Sequence, residues 1–283
     1  MKILLAGATG VVGRLLLPML VQAGHDVTGT TRKAAKLDSI VAAGGRPIVM
    51  DVMDRAATFA ALEQAHPDVV IHQLTDLGER DFAANSRLRN EGLPNLGDAA
   101  QAVGVQKIIA QSISWIYAAG EMPAHEHEPL DVDSPDAHGR AARSARAGEA
   151  GVDKTPATII LRYGLLYGPG TWYARESFTT DQLQRGELVV NDAVASFIHV
   201  ADAAQTALLA LDWPVGLYNI VDDAPAAKKD VFGLYASLIA APPPPYQAGK
   251  AAWERGESNA KARQLGWKPI YPTWREGFKT ELT

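Results

Sequence analysis

Residues Lys2 to Gly13 read KILLAGATGVVG, and no other stretch limits the possible folds of this chain as strongly. The apolar run Ile3 to Ala6 predicts a buried strand, and Val11 to Ala23 predicts a helix that ends at Gly24. Between them stand Gly7, Gly10 and Gly13. In a strand-turn-helix each glycine has a task. One makes the tight turn, one lets the backbone approach a pyrophosphate, and one lets the helix pack on the sheet. The helix start then offers unpaired N–H groups and a positive dipole end to phosphate. Gly7, Thr9, Gly10, Val11, Val12 and Gly13 are therefore the candidate dinucleotide cradle.

The pattern continues as alternating strands and helices. Val27–Thr31, Ile48–Asp51, Val69–Leu74 and Lys107–Ala110 are strand-like, while Ala56–Ala65 and Ser86–Val103 are helix-like. This rhythm predicts an α/β fold with a doubly wound parallel sheet. Pro18 falls inside the first helix, where it removes a hydrogen bond, but the apolar stripe of Leu15, Leu16, Met19 and Leu20 continues past it. Asp54 is expected to cap the helix that follows it.

Composition narrows the function classes. The chain has 283 residues, 47% hydrophobic and 21% charged, an ordinary globular balance. A net charge of −5 gives no basic surface for nucleic acid. The absence of cysteine excludes disulfides, thiolate nucleophiles and Cys-ligated metals. No long apolar run suggests a membrane segment or a secretory leader, so a cytoplasmic protein is expected.

The end of the second strand bears on cofactor choice. An acid there would bind the ribose 2′-hydroxyl of NAD, whereas an arginine suits the 2′-phosphate of NADP. The sequence is Thr30-Thr31-Arg32-Lys33, which favours NADP through Arg32, with NAD possible. Asp51 and Val52 are expected near the adenine, and Leu74 and Thr75 at the end of the fourth strand complete the cofactor set with Tyr163.

Several segments together resemble the extended short-chain dehydrogenase/reductases, in particular the NAD-dependent epimerase/dehydratase branch. They are GATGVVG, Arg89 to Ile109 (RNEGLPNLGDAAQAVGVQKII), LRYGLLYGPG (Leu161 to Gly170), SFIHVADAA (Ser196 to Ala204), YNIVDD (Tyr218 to Asp223) and Ser258 to Phe278. The resemblance implies a Rossmann sheet with a small C-terminal substrate lobe. Residues 1–165 would form the NAD(P)-binding domain and 166–283 mostly the lobe, with about 186–220 returning to the Rossmann core. It also implies a small-molecule substrate and a possible homodimer.

Enzymes of this type use a Ser or Thr after the fifth strand, a Tyr, and a Lys four residues later. The Lys is needed because a phenol with pKa about 10 is a poor proton shuttle without a nearby cation. In QSISWIYA, Ser112 and Ser114 are both candidates, because the usual slot falls between them at Ile113. Tyr117 matches a tyrosine that lines the substrate site. The Tyr-Lys pair is missing: His138 takes the tyrosine position and Ala142 the lysine position. An imidazole, with an ordinary pKa of about 6.5, is a reasonable acid in its own right. HEHEP (His125 to Pro129) alternates imidazole and carboxylate, but with no Cys and no helical His pair it reads as a loop, and no metal is expected. Asp202 in FIHVADAA is expected to be an N-cap.

Three functions fit this set. One is an NADP-dependent reductase or epimerase with Ser112, Ser114, Tyr117 and His138 at the reacting centre. The others are a non-redox isomerase or lyase on the same scaffold, and a catalytically silent NADP-binding sensor.

Overall fold

A computed structural model describes every residue except Glu79. The elements begin β1 (Lys2–Ala6), α1 (Gly13–Gln22), β2 (Asp26–Thr31), α2 (Leu37–Ala42), β3 (Arg46–Val49), α3 (Arg55–Ala65) and β4 (Val69–His72). Next come α4 (Phe82–Arg87), a π-helical turn (Leu88–Gly92), α5 (Leu93–Ala102), β5 (Lys107–Ile113), α6 (Ala137–Val152) and β6 (Ala157–Tyr163). The remainder is β7 (Leu165–Tyr167), α7 (Phe178–Gln184), β8 (Val194–Ala195), β9 (Phe197–His199), α8 (Val200–Leu209), β10 (Gly216–Ile220), β11 (Ala226–Ala227), α9 (Lys228–Leu238), α10 (Ala260–Gln264) and α11 (Trp274–Leu282).

Seven strands form one sheet in the order β10-β6-β5-β4-β1-β2-β3. β1 runs parallel to both neighbours, with Ala6 opposite Thr30 of β2 and His72 of β4. β3 pairs parallel to β2, and β5 parallel to β4. This is the doubly wound Rossmann order expected from the sequence, and it reverses between β1 and β4, where such sheets bind ligands. Ile3 to Ala6 are at most 1% exposed, which explains why β1 is apolar without alternation.

The chain forms two compact units. The first comprises Met1–Ser112, Val132–Leu161 and Ala204–Leu217, and the second Ile113–Asp131, Arg162–Ala203 and Tyr218–Thr283. Residues 113–131 thus fall with the second unit. There the loop is held by bridges of Tyr117 to Leu130 and Ala124 to Glu257, pairings with no local sequence signal. The stretch that returns to the first unit is Ala204–Leu217, shorter than 186–220. The core of the first unit joins Leu4, Val70 and Ile108 of the sheet to Leu62 of α3 and Leu96 of α5. The second has an aromatic core in which the Tyr167 and Tyr235 rings lie 4.7 Å and 5.0 Å from that of Phe278.

Local details qualify the sequence reading. Pro18 is accommodated within α1, whose Leu16, Leu17 and Leu20 are buried. Asp54 caps α3 by accepting the Ala57 N–H at 3.0 Å. The single helix expected over 86–103 is instead α4, the π turn and α5. Pro94 in the first turn of α5 has no N–H to donate, so the helical ladder changes register just before it. Asp202 does not cap α8. Its carboxylate accepts the backbone N–H groups of Ile270 and Tyr271 within the second unit.

Candidate cofactor cradle and reaction site

The cradle is built by backbone geometry. Gly7 has φ +84°, a left-handed conformation that glycine adopts without strain. The Gly10 N–H donates to the Gly7 carbonyl at 3.0 Å, and the Ala8 N–H to the Thr30 carbonyl at 3.0 Å. A Cβ on Gly13 would stand 2.1 Å from the Gly7 oxygen, so only glycine lets α1 begin this close to β1. The start of α1 has no side-chain cap and no acid in its first turn. Its leading N–H groups and positive dipole end therefore fit a pyrophosphate. Val12 is buried and Val11 half-buried, while Thr9 and Thr31 bring their hydroxyls to 3.1 Å.

The other cofactor candidates surround this turn to different degrees. Leu74 borders Gly7, and its N–H donates to His72 Nδ1 at 3.1 Å. That ring is buried, and burial pushes its pKa down to about 3, so it stays neutral. Thr75 is exposed just beyond. Asp51 accepts the Met53 N–H at 3.0 Å, and Val52 is buried against Gly92. Arg32 forms a two-pronged ion pair with Asp76, at 3.0 Å and 2.9 Å. Tyr163 is buried in the second unit, where its hydroxyl donates to the Ala203 carbonyl at 3.2 Å.

The catalytic candidates divide between the two units. In the first, Ser112 is buried in β5, and its hydroxyl donates to Glu149 Oε1 of α6 at 2.6 Å. Arg89 of the π turn is buried nearby. Burial lowers its pKa to about 10, and the Glu149 charge opposes that shift. His138 is buried in the first turn of α6, which is capped by Asp136 accepting the Gly139 N–H at 2.9 Å. Ala142 is fully buried at the lysine position. Arg143 does not take its place, because it donates to the carbonyls of Val132 at 2.5 Å and Ser134 at 2.8 Å.

In the second unit, Ser114 is fully buried and donates to Glu257 Oε2 at 3.1 Å. Tyr117 donates to Asn219 Oδ1 at 2.7 Å and accepts from Arg162 at 3.0 Å. Burial raises the pKa of this phenol to about 12. The HEHEP carboxylates are structural: Glu126 accepts the Asn219 N–H at 2.8 Å, and Glu128 pairs with buried Arg255 at 2.7 Å. Among the described residues, no group of His, Asp and Glu is arranged to hold a metal. In the YGPG loop, Tyr173 packs on Phe197 and Phe232, and Arg175 donates to the Leu282 carbonyl at 2.5 Å, so both serve lobe packing.

The residues that sequence reasoning missed are the buried charges Arg89, Arg162, Arg255 and Glu257, with half-buried Glu149 beside Ser112. All but Arg162, which lies in the apolar strand β6, stand in polar stretches that read as solvated surface.

A nucleotide cradle on a doubly wound sheet, joined to a C-terminal lobe, places the chain in one family. The NAD dependent epimerase/dehydratase family matches residues 3–220, and the chain belongs to it. A Streptomyces protein, 3-diazoavenalumate denitrifying reductase, is 37% identical over 99% of this chain and 100% of its own length. The fold is shared with the Bordetella bronchiseptica enzyme WbmH, solved in complex with NAD+. That match has TM-score 0.81 and 19% identity over 99% of this chain and 96% of the other. It is also shared with Thermus thermophilus UDP-glucose 4-epimerase in complex with NAD, with TM-score 0.79 and 21% identity over 100% of this chain and 98% of the other. No helix among the described residues is long and apolar enough to cross a membrane.

Proposed function

We propose that the protein is an NADPH-dependent reductase whose hydride acceptor needs no proton from a side chain. The acceptor class is an arenediazonium group on a small carboxylate. The observation that carries this reading is the Ile113, His138 and Ala142 set at the positions of the family's Ser, Tyr and Lys. With Ala142 fully buried and Arg143 committed to backbone carbonyls, neither supplies the cation that would lower a phenol's pKa.

Reduction of a carbonyl creates an alkoxide, which must be protonated in place, and general acid help is typically worth about 10²- to 10⁴-fold. A diazonium group is already cationic. Hydride addition at its terminal nitrogen gives a neutral diazene. Loss of dinitrogen then leaves that hydrogen on the carbon that held the group, and both electrons come from the hydride. No oxyanion forms, and no proton donor is required. The diazo relative, at 37% identity across nearly the whole chain, supports the same acceptor class.

Bound reduced nicotinamide supplies the hydride. The chain's own part is to hold and orient: the Gly7–Gly13 turn and the start of α1 receive the pyrophosphate. Arg32 after β2, with no acid at that strand end, supports NADPH over NADH.

The test follows NADPH absorbance and dinitrogen release with a carboxylated arenediazonium salt and with a panel of aldehydes and ketones. Enzyme-dependent turnover of the diazonium alone is expected, with His138→Ala retaining it within about threefold. Turnover of carbonyls alone, lost in His138→Ala, would overturn the reading in favour of a histidine-acid carbonyl reductase. No consumption of NADPH with any acceptor would favour a non-redox enzyme or a silent sensor.

A further inference from the structure

We infer that Asp76 sets the strength of the preference for a 2′-phosphate by competing with it for Arg32; this rests on the cofactor reading above. Arg32 follows β2 and Asp76 follows β4, the two strands that flank β1, so their ion pair bridges the carboxyl-end mouth of the cradle. Both terminal nitrogens of Arg32 are used, Nη1 at 3.0 Å from Oδ2 and Nη2 at 2.9 Å from Oδ1. These are the two parallel donors that would otherwise grip a phosphate.

The backbone at Asp76 is held in place. Its backbone N–H donates to Oδ1 of Asn85 at 2.9 Å, and Asn85 is buried in α4. The pair is also electrostatically settled. The Arg32 hydrogen bond holds the Asp76 carboxyl below its ordinary range, and the Asp76 hydrogen bond raises the Arg32 pKa, with Asp51 adding in the same direction.

Asp76 therefore occupies both donors of the one guanidinium. A 2′-phosphate must displace Asp76 from Arg32 and then lie beside its charge. A ribose 2′-hydroxyl needs no displacement and can donate to the Asp76 carboxylate. Asp76 thus weakens a phosphate and spares a hydroxyl. Arg32 attracts the phosphorylated nucleotide and Asp76 limits how strongly it does so.

The experiment measures binding of adenosine 2′,5′-bisphosphate and of 5′-AMP by calorimetry to the whole protein, for wild type, Asp76→Asn, Arg32→Ala and the double variant. Neither ligand carries nicotinamide, so no turnover is involved. Asp76→Asn is expected to bind the bisphosphate about tenfold more tightly while 5′-AMP stays within about twofold, because one unit charge beside the phosphate is removed. The gain should vanish when Arg32→Ala is added. A merely structural effect would move both nucleotides together, and that result, or an unchanged or weaker bisphosphate affinity, would overturn the proposal. If wild type bound neither nucleotide, the cofactor reading itself would fail, an outcome distinct from an unresponsive Asp76.

Discussion

Gly13 stands so close to Gly7 that a Cβ on Gly13 would lie 2.1 Å from the Gly7 carbonyl oxygen. Backbone blocks that space, so a larger residue must push α1 away from β1. Gly13→Ala is expected to cost roughly 1–3 kcal/mol of stability and to weaken nucleotide binding about tenfold by moving the helix start off the phosphate. Gly233→Ala in α9 is the control: nothing lies within 4 Å of its Cβ position, so it should be neutral or slightly stabilising. Urea denaturation and NADPH fluorescence titration of both variants check the contrast.

The Ser112 hydroxyl donates to Glu149, whose negative charge also acts on buried Arg89. Ser112→Ala should cost about 1–2 kcal/mol and change kcat by less than about threefold. Glu149→Ala should cost more, roughly 2–4 kcal/mol, because it removes both the acceptor of the Ser112 hydroxyl and the negative charge that acts on Arg89; the partial exposure of Glu149 keeps the loss below that of a fully buried pair. Adding Arg89→Met to Glu149→Ala should recover part of that loss in the same denaturation assay. A hundredfold fall in kcat for Ser112→Ala at unchanged stability would instead assign the hydroxyl to the substrate.

What the sequence made legible was local. The glycine spacing from Gly7 to Gly13, the Asp54 cap and the apolar β1 each depend on neighbours within a few residues, and each appears where it was expected. The division of α4 and α5 depends on Pro94 acting on a ladder whose register no apolar stripe reveals. Long-range burial of charge was illegible. Ser114 and Glu257 are 143 positions apart, and nothing in WERGES announces that Arg255 and Glu257 are enclosed. Asp202 failed as a cap for the same reason, since its partners Ile270 and Tyr271 come 68 and 69 residues later.

Tyr117 accepts from Arg162 and donates to Asn219, all inside the second unit. Tyr117→Phe removes both bonds while keeping the ring. It should lower stability by about 1–3 kcal/mol, as a buried guanidinium loses an acceptor. With the phenol pKa pushed up to about 12, away from neutral pH, a structural role is the expectation for Tyr117. The Phe variant should therefore keep kcat within about twofold. Thermal unfolding and steady-state kinetics on one preparation separate these effects.

Glu257 is buried beside Ser114 and Ser196, and burial raises its pKa from 4.5 to about 7. The folded chain holds this proton more tightly than the unfolded chain. Its contribution is fully present below about pH 4.5 and is lost as pH rises through about 7. Asp222 and Asp202, raised by burial to about 7 and about 6, act in the same direction. Burial lowers the His199 pKa to about 4, so that group acts oppositely and removes stability as pH falls below 6.5. Glu257→Gln isolates one contribution, because the amide keeps an acceptor for the Ser114 hydroxyl without ever carrying charge. The variant should gain roughly 1–3 kcal/mol over wild type near pH 8 and almost nothing near pH 5. Urea denaturation at both pH values measures the difference, and a gain of equal size at each would mean that Glu257 does not change charge between them.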